Sequence, residues 1–233
     1  MYRVPPDHPA TDLARRVRLA ARGVARAGLV NAYGHVSARL DETSFLVSPA
    51  RPLITVEPEE TCVVVPIDGD LPSGVLGEVR LHREIYRTRP EVGGVCRVIP
   101  PMVTALSALG ETPRALHGHG SYFAPRPPLW PDVQLVRDDD RAVRVIETMG
   151  NNAAVVMRGN GAVVVGETIE TAASLAFFLE DAARLELQLL AAPAAGKNAL
   201  EFTADEAAAR ATKAGGIIER MWQFLCHGDP EWQ

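Results

Sequence analysis

The sequence predicts an α/β protein, a three-layer α/β/α sandwich around a central mixed, mostly antiparallel sheet. Short β-rich runs alternate with helical patterns along the chain. Turn signals such as Asp68-Gly69-Asp70 and Gly159-Asn160-Gly161 allow hairpins, and hairpins allow antiparallel neighbours. The length of 233 residues, with 47% hydrophobic and 23% charged residues, suits one sizeable core.

The first helix follows Asp7 to Pro9, with Thr11 or Asp12 as its cap. Leu13, Val17, Ala20, Ala21, Val24 and Leu29 recur near helical spacing, and Gly28 closes the helix. Arg15, Arg16, Arg18, Arg22 and Arg26 take the opposite face, which reads as wet. Phe45 to Ser48 and Thr61 to Val65 are strand-like, punctuated by Pro49, Pro52, Pro58 and Pro66. Gly77 to Arg87 is helical and ends near Arg89-Pro90, because a residue before proline is pushed out of the helical region. Val92 to Val98 is the next strand. Pro125 to Pro131 is a stiff loop. Asp138 to Met149 is a helix, and Ala153 to Met157 and Ala162 to Val165 are strands. Thr168 caps a long helix, Ile169 to Ala192, apolar on more than one face, which suggests a subunit contact. Thr203 to Leu225 is the last helix.

Composition excludes some classes. A net charge of −5 gives no electrostatic case for nucleic acid or an anionic membrane. Apolar stretches are interrupted well before the roughly 20 residues that span a bilayer. Met1 to Pro9 lacks the basic start and apolar run of a signal peptide. Cys62, Cys96 and Cys226 are odd in number and unclustered, which points to reduced thiols in a cytoplasm.

The chemistry-bearing stretch is Gly77 to Arg87 with the strand behind it. Glu78 and His82 are four apart and share a helical face. Arg97 interrupts an otherwise small and β-branched strand. A carboxylate at a helix start and an arginine at a strand end can form a site; they equally suit a solvated helix face and a surface arginine. Asn31 to Arg39 reads as a turn in which His35 either lies on the surface or faces a ligand, with Gly34 permitting close backbone approach. Leu116-His117-Gly118-His119-Gly120 is a glycine-rich loop. Its imidazoles are either solvated or folded over the site to move protons near neutral pH.

Glu-x-x-x-His followed by Tyr-Arg, a strand, Pro-x-x-x-Ala-Leu and then Arg-Gly-x-Gly-Ala-Val-Val-Val-Gly resembles the class II aldolase/adducin family, from roughly Leu13 to Ala192. The resemblance implies the aldolase II fold, with residues 1–233 as a single domain carrying a C-terminal helical segment at 203–225. It also implies a homotetramer with sites between subunits. Glu78 matches the family's catalytic acid/base. The family's three zinc histidines fall on Arg97, Ile99 and Asn160. Arginine repels a divalent ion and isoleucine offers no lone pair, so no zinc is expected at the family position. His35, Ala50-Arg51 and Leu76-Gly77 replace the family's phosphate-cradling elements, which argues against a sugar phosphate.

The expected function is therefore a lyase acting on a C–C bond of a small, non-phosphorylated carboxylate, by decarboxylation or aldol-type cleavage. Glu78, Arg97 and His119 are the expected catalytic residues. His35, Ser48, His117 and Asn160 are the expected substrate contacts. A relocated divalent metal held by His35, His117 and His119 is an alternative. The competing class is a catalytically inactive scaffold, as in the adducin branch.

Overall fold

A computed structural model describes residues 9–232. The expected approach to the first helix and the absence of a leader pattern fall largely on residues 1–8, outside the described residues. In chain order the main elements are α1 (Pro9–Arg26), β1 (His35–Arg39), β2 (Ser44–Val47), β3 (Val63–Pro66), α2 (Arg80–Thr88), β4 (Gly94–Val98) and α3 (Pro101–Ala108). Then follow β5 (Leu129–Trp130), α4 (Asp139–Met149), β6 (Ala154–Met157), β7 (Ala162–Gly166), α5 (Ile169–Leu189), α6 (Ala204–Arg210) and α7 (Ile217–Cys226). The strands form one sheet in the order β3-β2-β1-β4-β7-β6-β5. Every neighbouring pair is antiparallel except β5 with β6, so the sheet is mixed and mostly antiparallel, as the pattern predicts.

Strand alternation divides the core. Cys96, Val98, Ala162 and Val164 point to the layer of α1, α3, α5 and α7. Val95, Val163 and Val165 point to the layer of α2 and α4. His35 and Ser37 alternate with Val36 and Ala38, which belong to the first layer. They therefore face α2, and so does Arg97.

Five features differ from the sequence expectation. First, α1 begins at Pro9, so Thr11 and Asp12 lie inside its first turn rather than capping it. Second, the arginine face of α1 is not simply wet. Arg18 and Arg22 are 6% and 5% exposed, and the C-terminal tail folds back onto them. Asp229 takes bonds of 2.7 and 2.8 Å from Arg22 and 2.6 Å from Arg26, while Glu231 pairs with Arg18 and Arg22. The acidic partners lie more than 200 residues away, beyond the reach of any helical pattern.

Third, the second apolar face of α5 is covered by α1, α3 and α7 of the same chain. That burial is internal and does not call for a subunit contact. Fourth, the last helix is two helices, because Gly215 and Gly216 adopt φ of 71° and 65° between α6 and α7. Fifth, the proline-rich loop contains β5, which extends the sheet edge beside β6.

Candidate active site

Backbone register brings the site together. In the β1–β4 pair His35 lies opposite Arg97. The β6–β7 turn approaches the end of β4 so closely that a Cβ on Gly161, at φ +72°, would lie 2.2 Å from the Val98 carbonyl oxygen. That approach sets Asn160 over Arg97. Glu78 enters from the other side, in the single 3₁₀ turn Gly77–Val79 that precedes α2.

Arg97 is 2% exposed. Its Nη2 donates to Asn160 Oδ1 at 3.0 Å and lies 3.2 Å from Glu78 Oε2, and its Nη1 donates to the Val98 carbonyl at 2.9 Å. Its Nε is buried with no partner among the described residues. Glu78 Oε1 accepts the Val136 N–H at 3.2 Å, which ties the loop before α4 to the site. Buried charges persist only when paired, and here the guanidinium joins a carboxylate and an amide oxygen.

This triad lines a cavity of about 710 Å³. His35 lines it too, as do the altered positions Ala50, Arg51, Leu76 and Gly77. Arg137 lies at its wall and bonds no protein group among the described residues.

Gly34 sits at φ +148°, and a Cβ there would meet Val30 at 2.7 Å, so glycine is required for packing as well as for a ligand. His35 is strand-bound and 3% exposed, not a turn histidine. Its Nδ1 lies 2.7 Å from His82 Nε2. His82 Nδ1 lies 2.5 Å from Ser37 Oγ, which lies 2.9 Å from the Tyr86 hydroxyl. Burial, reinforced by Arg97, holds His82 down to about 3. Burial, with His82 and Arg97, likewise pushes His35 well below the usual histidine range. Both imidazoles are neutral at neutral pH.

Other expected residues lie elsewhere. Ser48 Oγ accepts the Val36 N–H at 3.2 Å and borders a separate small cleft rather than the main cavity. His117 and His119 do not line the cavity within this chain. His117 Nε2 and His119 Nδ1 bond the same Asp181 oxygen at 2.9 and 2.7 Å, and the His119 ring stacks on Phe178 at 4.0 Å. Burial raises Asp181, but His117, Arg184 and His119 outweigh it and hold the carboxyl well below its usual range.

A metal site of His35, His117 and His119 is therefore not assembled, because His35 is committed to His82. The three groups that do converge are His117, His119 and Asp181, with ligand atoms within 4.8 Å of one another; they could hold a metal ion. The family zinc position does not fit one: the Arg97 guanidinium lies between Glu78 and Asn160.

Sequence reasoning missed Asp181, Arg137 and the His82–Ser37–Tyr86 chain. The i, i+4 spacing of His82 and Tyr86 was a usable signal. Arg137 and Asp181 carried none.

Residues 15–187 match the class II aldolase and adducin N-terminal domain family. The chain is 30% identical over 209 residues to 3,4-dihydroxyphthalate decarboxylase of Arthrobacter keyseri, covering 82% of this chain and 84% of that one. It is 32% identical over 189 residues to 3,4-dihydroxyphthalate decarboxylase of Terrabacter sp. strain DBF63, covering 74% and 79%. Among solved structures it is similar to an aldolase II superfamily protein from Pseudomonas syringae. That match has a TM-score of 0.77 and 22% identity, over 96% and 93% of the two chains.

Proposed function

The chain belongs to the class II aldolase and adducin family, and on that premise we propose that it is a decarboxylase of small aromatic carboxylates. It is a carbon–carbon lyase of the decarboxylase type acting on a small carboxylate. The aromatic class is the finer reading, supported by the two dihydroxyphthalate decarboxylases it is similar to.

The carrying observation is the Arg97 fork joined to Glu78 and Asn160 at a cavity of about 710 Å³. Arg97 stabilises the oxygen on which negative charge develops, with the planar donor geometry a point charge lacks. Glu78 takes and returns the proton of a ring hydroxyl. Asn160 orients Arg97. Arg137, without a protein partner among the described residues, meets a substrate carboxylate at the wall. The altered cradle positions all line this cavity, which supports exclusion of sugar phosphates. Arg97, Ile99 and Asn160 do not suit zinc at the family position, and no step here uses one.

Homotetramer formation and cytoplasmic residence belong to the same proposal. The first is supported by exposed Tyr33, Leu76 and Leu135, which rim the cavity. The second is supported by three free, buried cysteines. Among the described residues no helix is long and apolar enough to cross a membrane.

Purified protein incubated with 3,4-dihydroxyphthalate and related aryl carboxylates tests the reading by CO2 release and product absorbance. Turnover lost in Glu78→Gln supports it. The absence of both turnover and binding across the series, with the fold intact, favours the inactive scaffold, a reading that the mutual neutralisation of Arg97 and Glu78 also suits.

A further inference from the structure

The chain Tyr86–Ser37–His82–His35 has a direction. The only partner of the buried Tyr86 hydroxyl among the described residues is Ser37 Oγ, at 2.9 Å. A buried phenol that donates to nothing forfeits its hydration without replacement, so Tyr86 donates to Ser37. Ser37 then has its own proton to give, and its neighbour at 2.5 Å is His82 Nδ1. With Nδ1 accepting, the neutral His82 ring carries its proton on Nε2. That N–H points at His35 Nδ1, 2.7 Å away. His35 Nδ1 therefore accepts, and His35 carries its proton on Nε2. Among the described residues this nitrogen has no partner, and it is not among the buried unpartnered atoms. It therefore opens to one of the two clefts that His35 lines, the main cavity or the small one beside Ser48; the donor role below takes it to be the main cavity.

We propose that His35 is the proton donor to the carbon that loses CO2, and that His82, Ser37 and Tyr86 are positioning residues that fix its tautomer and refill it. This rests on the decarboxylase reading above. From the sequence His35 suits a surface position or a ligand contact; the hydrogen-bond direction excludes a resting role as general base, because its free nitrogen bears a proton.

The step balances. Glu78 takes a ring hydroxyl proton and the electron pair moves into the ring. The carboxylate-bearing carbon forms a C–H bond as His35 Nε2–H breaks. His82 Nε2–H passes to His35 Nδ1, Ser37 O–H to His82 Nδ1, and Tyr86 O–H to Ser37. Burial pushes the Tyr86 phenol up and so opposes the phenolate left here. The Ser37 hydrogen bond and the Arg39 guanidinium, 4.8 Å from the ring centre, offset part of that, which makes the phenolate a transient that must be reprotonated within the turnover. The bond to CO2 then breaks, its electrons restore the ring phenolate, and Glu78 returns the proton. One solvent proton, the one that conversion of a carboxylate to C–H and CO2 requires, reloads Tyr86. A neutral imidazole in an acid role has chemical precedent where the surroundings keep it uncharged.

The test has two arms. In protein labelled with ¹⁵N-histidine, long-range ¹H–¹⁵N spectra assigned with His35→Gln and His82→Gln should show His35 protonated on Nε2 and unprotonated on Nδ1. The opposite tautomer overturns the proposal, whatever the enzyme turns over. In the second arm 3,4-dihydroxyphthalate turnover is measured beside melting curves. His35→Gln should lose roughly 100-fold or more in kcat, within the range a positioned proton donor supplies. Tyr86→Phe, which deletes only a hydroxyl, should lose roughly tenfold or more in kcat with KM unchanged. Wild-type kcat in both variants overturns the donor role even with the assigned tautomer. Failure of the wild type to turn over any aryl carboxylate sinks the decarboxylase reading and His35's role with it, whereas the opposite tautomer in a protein that does turn over sinks His35's role alone.

Discussion

Replacing Arg97 with lysine tests the centre of the site. The guanidinium makes three contacts, with the Val98 carbonyl at 2.9 Å, Asn160 at 3.0 Å and Glu78 at 3.2 Å. Lysine keeps the charge but concentrates it on one nitrogen, which cannot span a carboxylate, an amide oxygen and a substrate oxygen in one plane. Losing such a donor to a developing oxyanion costs about 2.7–4 kcal/mol, roughly a hundredfold to a thousandfold in kcat. Stability should respond differently. Removing one partner of a buried ion pair costs about 3–5 kcal/mol. In a chain of this size each kcal/mol moves Tm by about 2–4 °C. Arg97→Lys retains a cation beside Glu78 and should stay well short of that loss, whereas Arg97→Leu should approach its lower end, since Glu78 is 18% exposed. The assay pairs melting curves with CO2 release from 3,4-dihydroxyphthalate. A large Tm loss in Arg97→Lys with turnover intact at low temperature would mean that Arg97 is a brace. Turnover within about threefold of wild type would show that the fork geometry is dispensable.

The tail clamp predicts a pH dependence. Burial raises Asp229, but Arg22 and Arg26 pull it to about 2, below its usual 3.8. Its contribution is therefore full above pH 3.8 and is lost as pH falls through about 2; the Tm gap between wild type and Asp229→Asn should close over that window, and a gap constant with pH argues against the clamp. Gly94→Ala should destabilise by about 1–3 kcal/mol in denaturant titrations, because its Cβ would lie 2.4 Å from the Ile169 Cα, and unchanged stability would refute that packing. Elemental analysis should find no zinc dependent on Glu78 or Asn160. Stoichiometric metal lost in His117→Ala or His119→Ala would instead assign the His117–His119–Asp181 group.

Local pattern determined much of this protein. Periodicities of two and 3.6 marked most strands and helices, because burial on one face leaves that repeat in the sequence. Thr168 was legible as a cap, and its side chain accepts the N–H three residues on; Asp138, read as the first helical residue, proves to cap α4 in the same way. The order of Glu78, Arg97 and Asn160 pointed to the candidate site, and the residue types there do not suit zinc. What the sequence left open was decided by contacts between residues far apart in the chain. The arginines of α1 looked wet until Asp229 and Glu231 arrived from more than 200 residues away. The fate of α5's second face depended on α1, α3 and α7 packing over it. His35 stood between the surface and a ligand contact until the β1–β4 register set it opposite Arg97 and α2 brought His82 to its Nδ1. A ring nitrogen's role depends on which neighbour must donate, and those neighbours are assembled only when the sheet and the helix above it have packed.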